Sequence, residues 1–223
     1  MAFLTLDALR TGYLNLELGI ATNESADTTF GTMSERNFYL QNAIRKLWPE
    51  VGRLVSESVT ALAYDQTYTL STVEDVERIE VLDYNDQLVS NTVRSWQVIR
   101  DESADPAVIR LLIPPVEAGR TMRVIGYAPY TVPASFPPTS SGNVDFPTRM
   151  AHVVSAGGRA EAYRAKLNQF ANYERFANEN RQNALQPAEL LELLRQAERE
   201  FERGKNSVQR DFTAPKRART QTR

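Results

Sequence analysis

The sequence predicts an α+β protein that is mainly helical, with a small antiparallel β-sheet module inserted between N-terminal and C-terminal helices and an extended C-terminal tail. Apolar residues recur at helical spacing before residue 62 and again after residue 148, and the segments between them are short and rich in Val, Ile, Tyr and Thr. Of 223 residues, 42% are apolar and 24% are charged, which is the composition of a chain with a packed core.

The predicted organisation has five parts. Residues 1–62 hold N-terminal helices, 63–130 the small β module, 131–147 a Pro-rich linker, 148–204 the C-terminal helices and 205–223 a basic C-terminal arm. The C-terminal helices are expected to form one domain with residues 1–62, because each amphipathic helix must bury its apolar face against another element.

The first predicted helix carries Leu6, Leu9, Tyr13 and Leu16 on one face. Gly19 follows directly and suits the left-handed conformation that commonly ends a helix.

A second, longer helix is predicted from Ser34, its N-cap, to Leu62, with a kink at Pro49 because proline removes one backbone donor. A kinked helix is favoured over two unrelated helices because the helical phase continues across the proline. The apolar residues in that phase are Leu40, Ile44, Leu47, Trp48, Val51, Leu54, Val55, Val59 and Leu62.

Five short strands are predicted next, at residues 66–70, 76–83, 93–100, 107–113 and 121–127. Turn-forming segments separate them, including one at 84–86 and one that ends at Gly119. This spacing indicates consecutive antiparallel strands in a small sheet or sandwich.

Two helices are predicted at the C-terminal end, one over 148–183 and one that begins at Pro187 and stops at Gly204. Within the first, Gly157, Gly158 and Ala160 lie within one turn, although glycine is a poor helix former. These small residues predict a helix-packing seam, either inside the subunit or between neighbouring copies. On helix propensity, Gly157→Ala is expected to be mild or stabilising, whereas Gly157→Leu is expected to destabilise the protein by overpacking the seam.

The net charge of −2 hides an uneven distribution, because residues 205–223 carry six basic side chains and one acid, a balance of +5. The arm is expected to be disordered until it meets an anionic partner, since its apolar content is too low to offset the entropy of ordering. A solubilising terminus without a partner is the alternative. The residues predicted to dock are Arg210, Phe212, Lys216, Arg217, Arg219 and Arg223.

Composition excludes several kinds of site. The chain has no cysteine and one histidine, so disulfides, thiolate metal sites and multi-histidine metal sites are excluded. No cofactor or metal is expected. No apolar run approaches the ~20 residues that span a bilayer, and the first residues do not read as a signal peptide, so a soluble protein synthesised in a cytoplasm is expected.

No catalytic constellation stands out, and the chain is expected not to be an enzyme. His152 is the one base available to Ser155, three residues on, but no sharp turn presents the serine. The acid pairs Glu74/Asp75 and Asp101/Glu102 are interpreted as solvated charges, and residues 83–86 as a hairpin turn rather than a calcium loop. The aromatic residues of the strand region are interpreted as core or protein-interface residues, because the acidic side chains around them would repel phosphate.

The order of short patterns from residue 4 to 180 resembles that of the head–tail adaptor (connector) proteins of tailed bacteriophages. The patterns that carry the resemblance are Asn37-Phe38-Tyr39-Leu40-Gln41-Asn42-Ala43-Ile44, Val76-Glu77-Arg78-Ile79-Glu80-Val81, Ser95-Trp96-Gln97-Val98, Arg110-Leu111-Leu112-Ile113-Pro114, Met122-Arg123-Val124-Ile125-Gly126-Tyr127, Asp145-Phe146-Pro147 and Ala156-Gly157-Gly158-Arg159-Ala160-Glu161.

The resemblance implies a non-enzymatic structural protein of the virion neck. Such a protein forms a homo-oligomeric ring, a dodecamer in the family, that docks on the portal by a C-terminal arm. It connects the DNA-filled head to a tail or neck protein below, and DNA passes through its channel without sequence-specific binding.

Three alternatives remain at this stage. One is another neck component, a stopper or a tail terminator. The second is a nucleic-acid-binding protein that uses the basic tail, for which affinity would fall steeply with salt. The third is a hydrolase that uses His152 or the acid pairs, for which turnover would be lost when His152 is changed.

Overall fold

The computed structural model describes residues 5–20, 29–63, 65–83, 85, 87–90, 96–101, 104–111, 116–132, 147–173 and 187–212. The chain divides into two compact units. The helical unit comprises Met1–Val51 and Tyr130–Arg223, and the β unit comprises Gly52–Pro129. The fold class is α+β with a β unit inserted between helical segments, as the sequence predicts.

The helical unit contains, in chain order, α1 (Leu6–Leu9), a π-helical turn (Arg10–Leu14), α2 (Asn15–Glu17), α3 (Met33–Arg45), a 3₁₀ turn (Thr148–Met150), α4 (Ala151–Tyr173) and α5 (Pro187–Phe212).

The π-helical turn shifts the buried face of the N-terminal segment. Leu6 and Leu9 are buried as predicted, but Leu16 is 70% exposed and Leu14 is fully buried instead. A π turn closes i→i+5 hydrogen bonds and takes up an extra residue, so the positions after it rotate away from the α-helical phase. Gly19 has φ of 70°, as expected for a residue just past a helix end.

The helix α3 begins two residues earlier than predicted. Thr32, not Ser34, is the N-cap, and it forms a capping box with Glu35. The Glu35 N–H donates to Thr32 Oγ1 at 3.3 Å, and the Thr32 N–H donates to Glu35 Oε2 at 2.6 Å.

The predicted kinked helix across Pro49 is wrong, because α3 ends at Arg45 and a strand, β1 (Arg53–Thr60), follows. Along β1 the side chains alternate between half-buried and exposed, which is the period of a strand. Val51, Val55 and Val59 recur every four residues, a spacing that places residues on one face of a helix or of a strand. The β unit therefore begins at Gly52 and not at residue 63.

The other strands are β2 (Thr67–Thr69), β3 (Asp75–Leu82), β4 (Leu88–Ser90), β5 (Trp96–Asp101), β6 (Ala104–Leu111) and β7 (Thr121–Ala128). The five predicted strands correspond to β2, β3, β5, β6 and β7, whereas β1 and β4 were not predicted.

The strands form two antiparallel sheets, one ordered β1-β7-β3-β4 and one ordered β2-β6-β5. The β unit has its own apolar core, which consists of Ala61, Tyr68, Leu70, Val73, Val76, Ile79, Met122 and Val124.

The helices α4 and α5 run antiparallel. Gly204 lies against Val153 near one end of the pair, and Arg164 contacts Glu198 nearer the other. The predicted helix over 148–183 corresponds to α4 up to Tyr173, and residues 174–186 lie outside the described part of the chain.

The predicted stop at Gly204 is wrong, because α5 begins at Pro187 as expected but continues to Phe212. A Cβ atom at residue 204 would lie 2.7 Å from Val153 Cγ2, so the glycine makes room for α4. Lys205 and Val208 beyond it are also buried. This packing offsets the cost of about 1 kcal/mol that a glycine imposes on a helix.

Candidate docking arm and helical seam

The structure describes part of the predicted docking arm. Arg210 and Phe212 lie in the last turn of α5. Lys216, Arg217, Arg219 and Arg223 lie outside the described residues, as do positions 133–146 of the predicted linker. The expectation of disorder from residue 205 onward is wrong for residues 205–212, which are helical.

Lys205, the first basic residue of the predicted arm, belongs to the folded helical unit. It is 8% exposed, and its Nζ lies 2.9 Å from Glu202 Oε1 and 3.2 Å from Glu50 Oε2. Its ammonium also lies 5.3 Å from the centre of the Phe201 ring. Burial alone would lower the pKa of Lys205, but the hydrogen bonds and charges of Glu202 and Glu50 outweigh it and raise that pKa.

The candidate arm is therefore restricted to the residues after Val208, which is buried and is the last residue of α5 whose side chain the structure describes. Residues 209–223 carry five basic side chains and one acid, a balance of +4. Sequence composition alone could not find this boundary, because the partner Glu50 lies 155 positions away from Lys205.

Gly157 occupies the tightest point of the seam. A Cβ atom there would lie 2.7 Å from Ala43 Cβ of α3 and 2.9 Å from Phe201 Cε2 of α5. Both are closer than real Cβ contacts, so α4 touches two other helices at a residue that has no side chain.

Gly158 and Ala160 extend the same seam. A Cβ atom at residue 158 would lie 3.0 Å from Leu40 Cδ2 and 3.3 Å from Leu14 Cδ1, and Ala160 is itself buried. Of the two arrangements open at the sequence level, the packing seen at Gly157 and Gly158 is inside one subunit.

His152 and Ser155 converge on a carboxylate rather than on each other. Ser155 Oγ donates to Glu17 Oε2 at 2.6 Å, and His152 Nδ1 lies 3.4 Å from Glu17 Oε1. Ser155 is buried and its hydroxyl proton is already committed to Glu17, so the histidine is not placed to remove that proton.

The same carboxylate anchors the N-terminal helix to α4. Arg159 Nε lies 2.9 Å from Glu17 Oε2, close enough for an ion pair but without the angle of a hydrogen bond. The Arg159 guanidinium also pairs with Glu200 of α5. The pKa of Glu200 is lowered by the hydrogen bond from Gln196, against burial, and then by Arg159. No sequence motif marks Glu17, since its partners lie more than a hundred residues away.

A second group of ion pairs joins the three long helices. Glu161 of α4 accepts from Lys46, just past α3, and from Arg164 at 2.6 Å. Arg164 in turn donates to Glu198 of α5 at 2.7 Å. Burial alone would lower the pKa of Arg164, but Glu161 and Glu198 raise it. These pairs cross-link the three helices.

The acidic positions considered for metal or acid–base chemistry are dispersed. Asp75 begins β3, Asp101 ends β5, and Glu102 lies outside the described residues. Asp83 Oδ1 accepts from the backbone N–H groups of Asn85 and Gln87, both at 2.8 Å, between β3 and β4. This confirms the predicted hairpin turn. Within the described residues, no cluster of three or more His, Cys, Asp or Glu side chains could hold a metal ion.

No described helix combines the length and the apolar character that a bilayer crossing requires.

Comparison with known proteins gives one structural neighbour to report. No protein-family profile and no curated protein matches the chain. Among solved structures, the chain is similar to one from the neck of an empty GTA particle, computed with C6 symmetry. The two share 16% identity at a TM-score of 0.24, and the match covers 74% of this chain and 77% of that chain. A TM-score this low does not establish a common fold.

Proposed function

We propose that this chain is a structural protein of a phage-like particle neck. In this proposal it is the head–tail adaptor, which docks on the portal and connects the DNA-filled head to the tail. The support is the ordered series of patterns between residues 4 and 180 that resembles adaptor proteins. Its location would be the virion, at the interface between head and tail.

The observation that carries the proposal is that the basic arm directly follows a packed helix. The α5 helix buries apolar side chains in the helical core from Leu190 to Val208, and the basic residues of the arm begin at Arg210, in its last turn. Because this part of α5 is packed, the helical unit fixes the position at which the arm begins. A short segment of charge +4 suits an acidic surface on a partner such as the portal.

We propose further that the role is not enzymatic and that copies of the chain assemble into a ring. The commitment of Ser155 to Glu17 supports the first point, because it leaves no nucleophile–base pair at the one histidine of the chain. The second point rests on the adaptor resemblance, which implies a dodecameric ring. No cofactor is required for either role.

The test distinguishes the role of the arm in portal attachment from the folding and ring assembly of the rest of the chain. A chain truncated after Val208 keeps Lys205 and its ion pairs, so it should fold and form rings. It should also fail to attach to portal-containing heads when electron microscopy is used to count occupied portals. A second variant, in which Arg210, Lys216, Arg217, Arg219 and Arg223 are all changed to Gln, should fail in the same way with the arm still present.

Two outcomes would contradict the proposal. If the truncated chain occupies portals as well as the full chain does, the arm does not dock. If the full chain binds duplex DNA with an affinity that falls steeply between 50 and 200 mM salt, and does not bind portals, the nucleic-acid alternative is the better reading.

A further inference from the structure

One carboxylate in the β unit receives an unusual number of hydrogen bonds. Glu57 Oε1 accepts from the Ser71 N–H at 2.9 Å and from Ser71 Oγ at 2.7 Å. Glu57 Oε2 accepts from the N–H groups of Ser71 at 3.0 Å, Thr72 at 2.8 Å and Val73 at 3.4 Å. Three consecutive backbone amides therefore converge on a single side chain.

The position of Glu57 gives this contact a mechanical role. Glu57 lies in the middle of β1, at the edge of the four-stranded sheet. Residues 70–74 connect β2 of the three-stranded sheet to β3 of the four-stranded sheet. Val73 in this connection is 1% exposed and packs in the β-unit core. The carboxylate thus ties the crossover between the two sheets to an edge strand.

Within the described part of the chain, every hydrogen bond to the Glu57 carboxylate comes from an uncharged group. Its partner across the ladder on β7 is Val124, and its neighbours on the same face of β1 are Val55 and Val59. The charged residues nearest to it along β1 and along the connection are Arg53, which donates to the Pro129 carbonyl, and Glu74, whose N–H donates to the Tyr127 carbonyl. The amides and the Ser71 hydroxyl are therefore the groups that respond to its ionisation.

We infer that Glu57 is an acid-sensitive clasp, whose ionised carboxylate holds the β2–β3 connection against β1 and releases it on protonation. A carboxylate accepts hydrogen bonds at both oxygens, whereas a carboxylic acid carries a proton on one of them and loses part of that capacity. Release would free residues 71–73 and loosen the packing of Val73, while the helical unit would keep its own structure.

The direction of the pH dependence follows from the same contacts. Burial alone would raise the pKa of Glu57, but the hydrogen bonds from Ser71, Thr72 and Val73 outweigh it and hold that pKa below its ordinary value of 4.5. A group whose pKa is lowered in the folded state contributes stability above its unfolded pKa and loses it as the pH falls. The clasp is therefore closed at neutral pH and opens below pH 4.5.

Hydrogen exchange of the backbone amides of Ser71, Thr72 and Val73 tests this inference. In the full wild-type chain their protection factors should fall at least tenfold between pH 6 and pH 3, while amides of α4 stay protected. In Glu57→Gln the protection should already be at least tenfold lower at pH 6, and it should not change further with pH. The matched control is Glu117→Gln, which removes an exposed carboxylate of the same unit and should behave as wild type.

The inference fails if Glu57→Gln retains wild-type protection at pH 6, or if the pH dependence at residues 71–73 persists in that variant. Should Glu57→Gln not fold, Ser71→Ala decides the question, since it removes one hydrogen bond and leaves the carboxylate. In Ser71→Ala the pH at which half of the protection of residues 71–73 is lost should be higher than in wild type. An unchanged midpoint pH would overturn the inference.

Discussion

Gly157 of α4 lies directly against Ala43 of α3, so close that a methyl group at residue 157 would be 2.7 Å from the Ala43 side chain. Neither partner can move without shifting a helix backbone, because the Cβ atom of an alanine is fixed by its own helix. Helix propensity favours alanine over glycine at this position, but the interhelical contact outweighs it.

Gly157→Ala should therefore destabilise the helical unit by about 1–3 kcal/mol through overpacking, contrary to the expectation from propensity. The matched control is Gly158→Ala. The new methyl group there would meet the ends of Leu40 and Leu14, which are flexible, so stability should change by less than about 1 kcal/mol. Urea unfolding followed by circular dichroism compares the two. Equal urea midpoints for the two variants would show that α4 packs less tightly against α3 at Gly157 than the structure indicates.

Gly126→Ala should disrupt the β unit at its bulge. A Cβ atom at residue 126 would lie 2.1 Å from the Asp75 carbonyl oxygen, where the pairing of β3 with β7 shifts register. Because this neighbour is backbone, the expected loss is about 3 kcal/mol or more. Amide exchange in β3 and β7 should report it. The control is Gly12→Ala, whose added Cβ would meet no other part of the described fold within 4 Å and which should leave exchange in these strands unchanged.

Lys205→Ala should cost the helical unit about 1–3 kcal/mol, because it leaves Glu50 and Glu202 without their shared cation and removes the packing on Phe201. Thermal unfolding measures the loss. Lys216→Ala removes the same side chain from the arm and should leave the melting temperature unchanged. If both variants melt like wild type, Lys205 belongs with the arm after all.

His152→Ala should leave folding and assembly intact. The imidazole is 77% exposed, rests edge-on against Tyr13 at 5.0 Å between ring centres, and makes one long contact to Glu17. Its removal should change stability by less than about 0.5 kcal/mol. Melting temperature and particle infectivity check this, and folded variant particles that assemble but do not infect would indicate a chemical role for the histidine.

Local sequence is sufficient to predict a helix boundary or a strand wherever a single residue or a short apolar period determines the backbone conformation. Gly19 and Pro187 mark helix boundaries through their own backbone preferences, and the β-branched runs of β3 and β7 were found within a residue or two. In the candidate site, the cost of glycine in a helix is enough to predict that the small residues at 157–160 pack against another helix. It does not predict which helices they contact.

Tertiary structure decided what local pattern leaves ambiguous. A spacing of four residues is common to helix and strand, so the local pattern of β1 predicts a helix, whereas its pairing with β7 makes it a strand. Because of the π-helical turn, Leu14 is buried and Leu16 is exposed. The close packing of Gly204 against Val153 of α4 favours a helix that continues past the glycine. Glu17 and Glu50 find their partners 138 and 155 residues along the chain. Sequence by itself determines the preferences of each segment, whereas burial against distant segments selects among the conformations that those preferences allow.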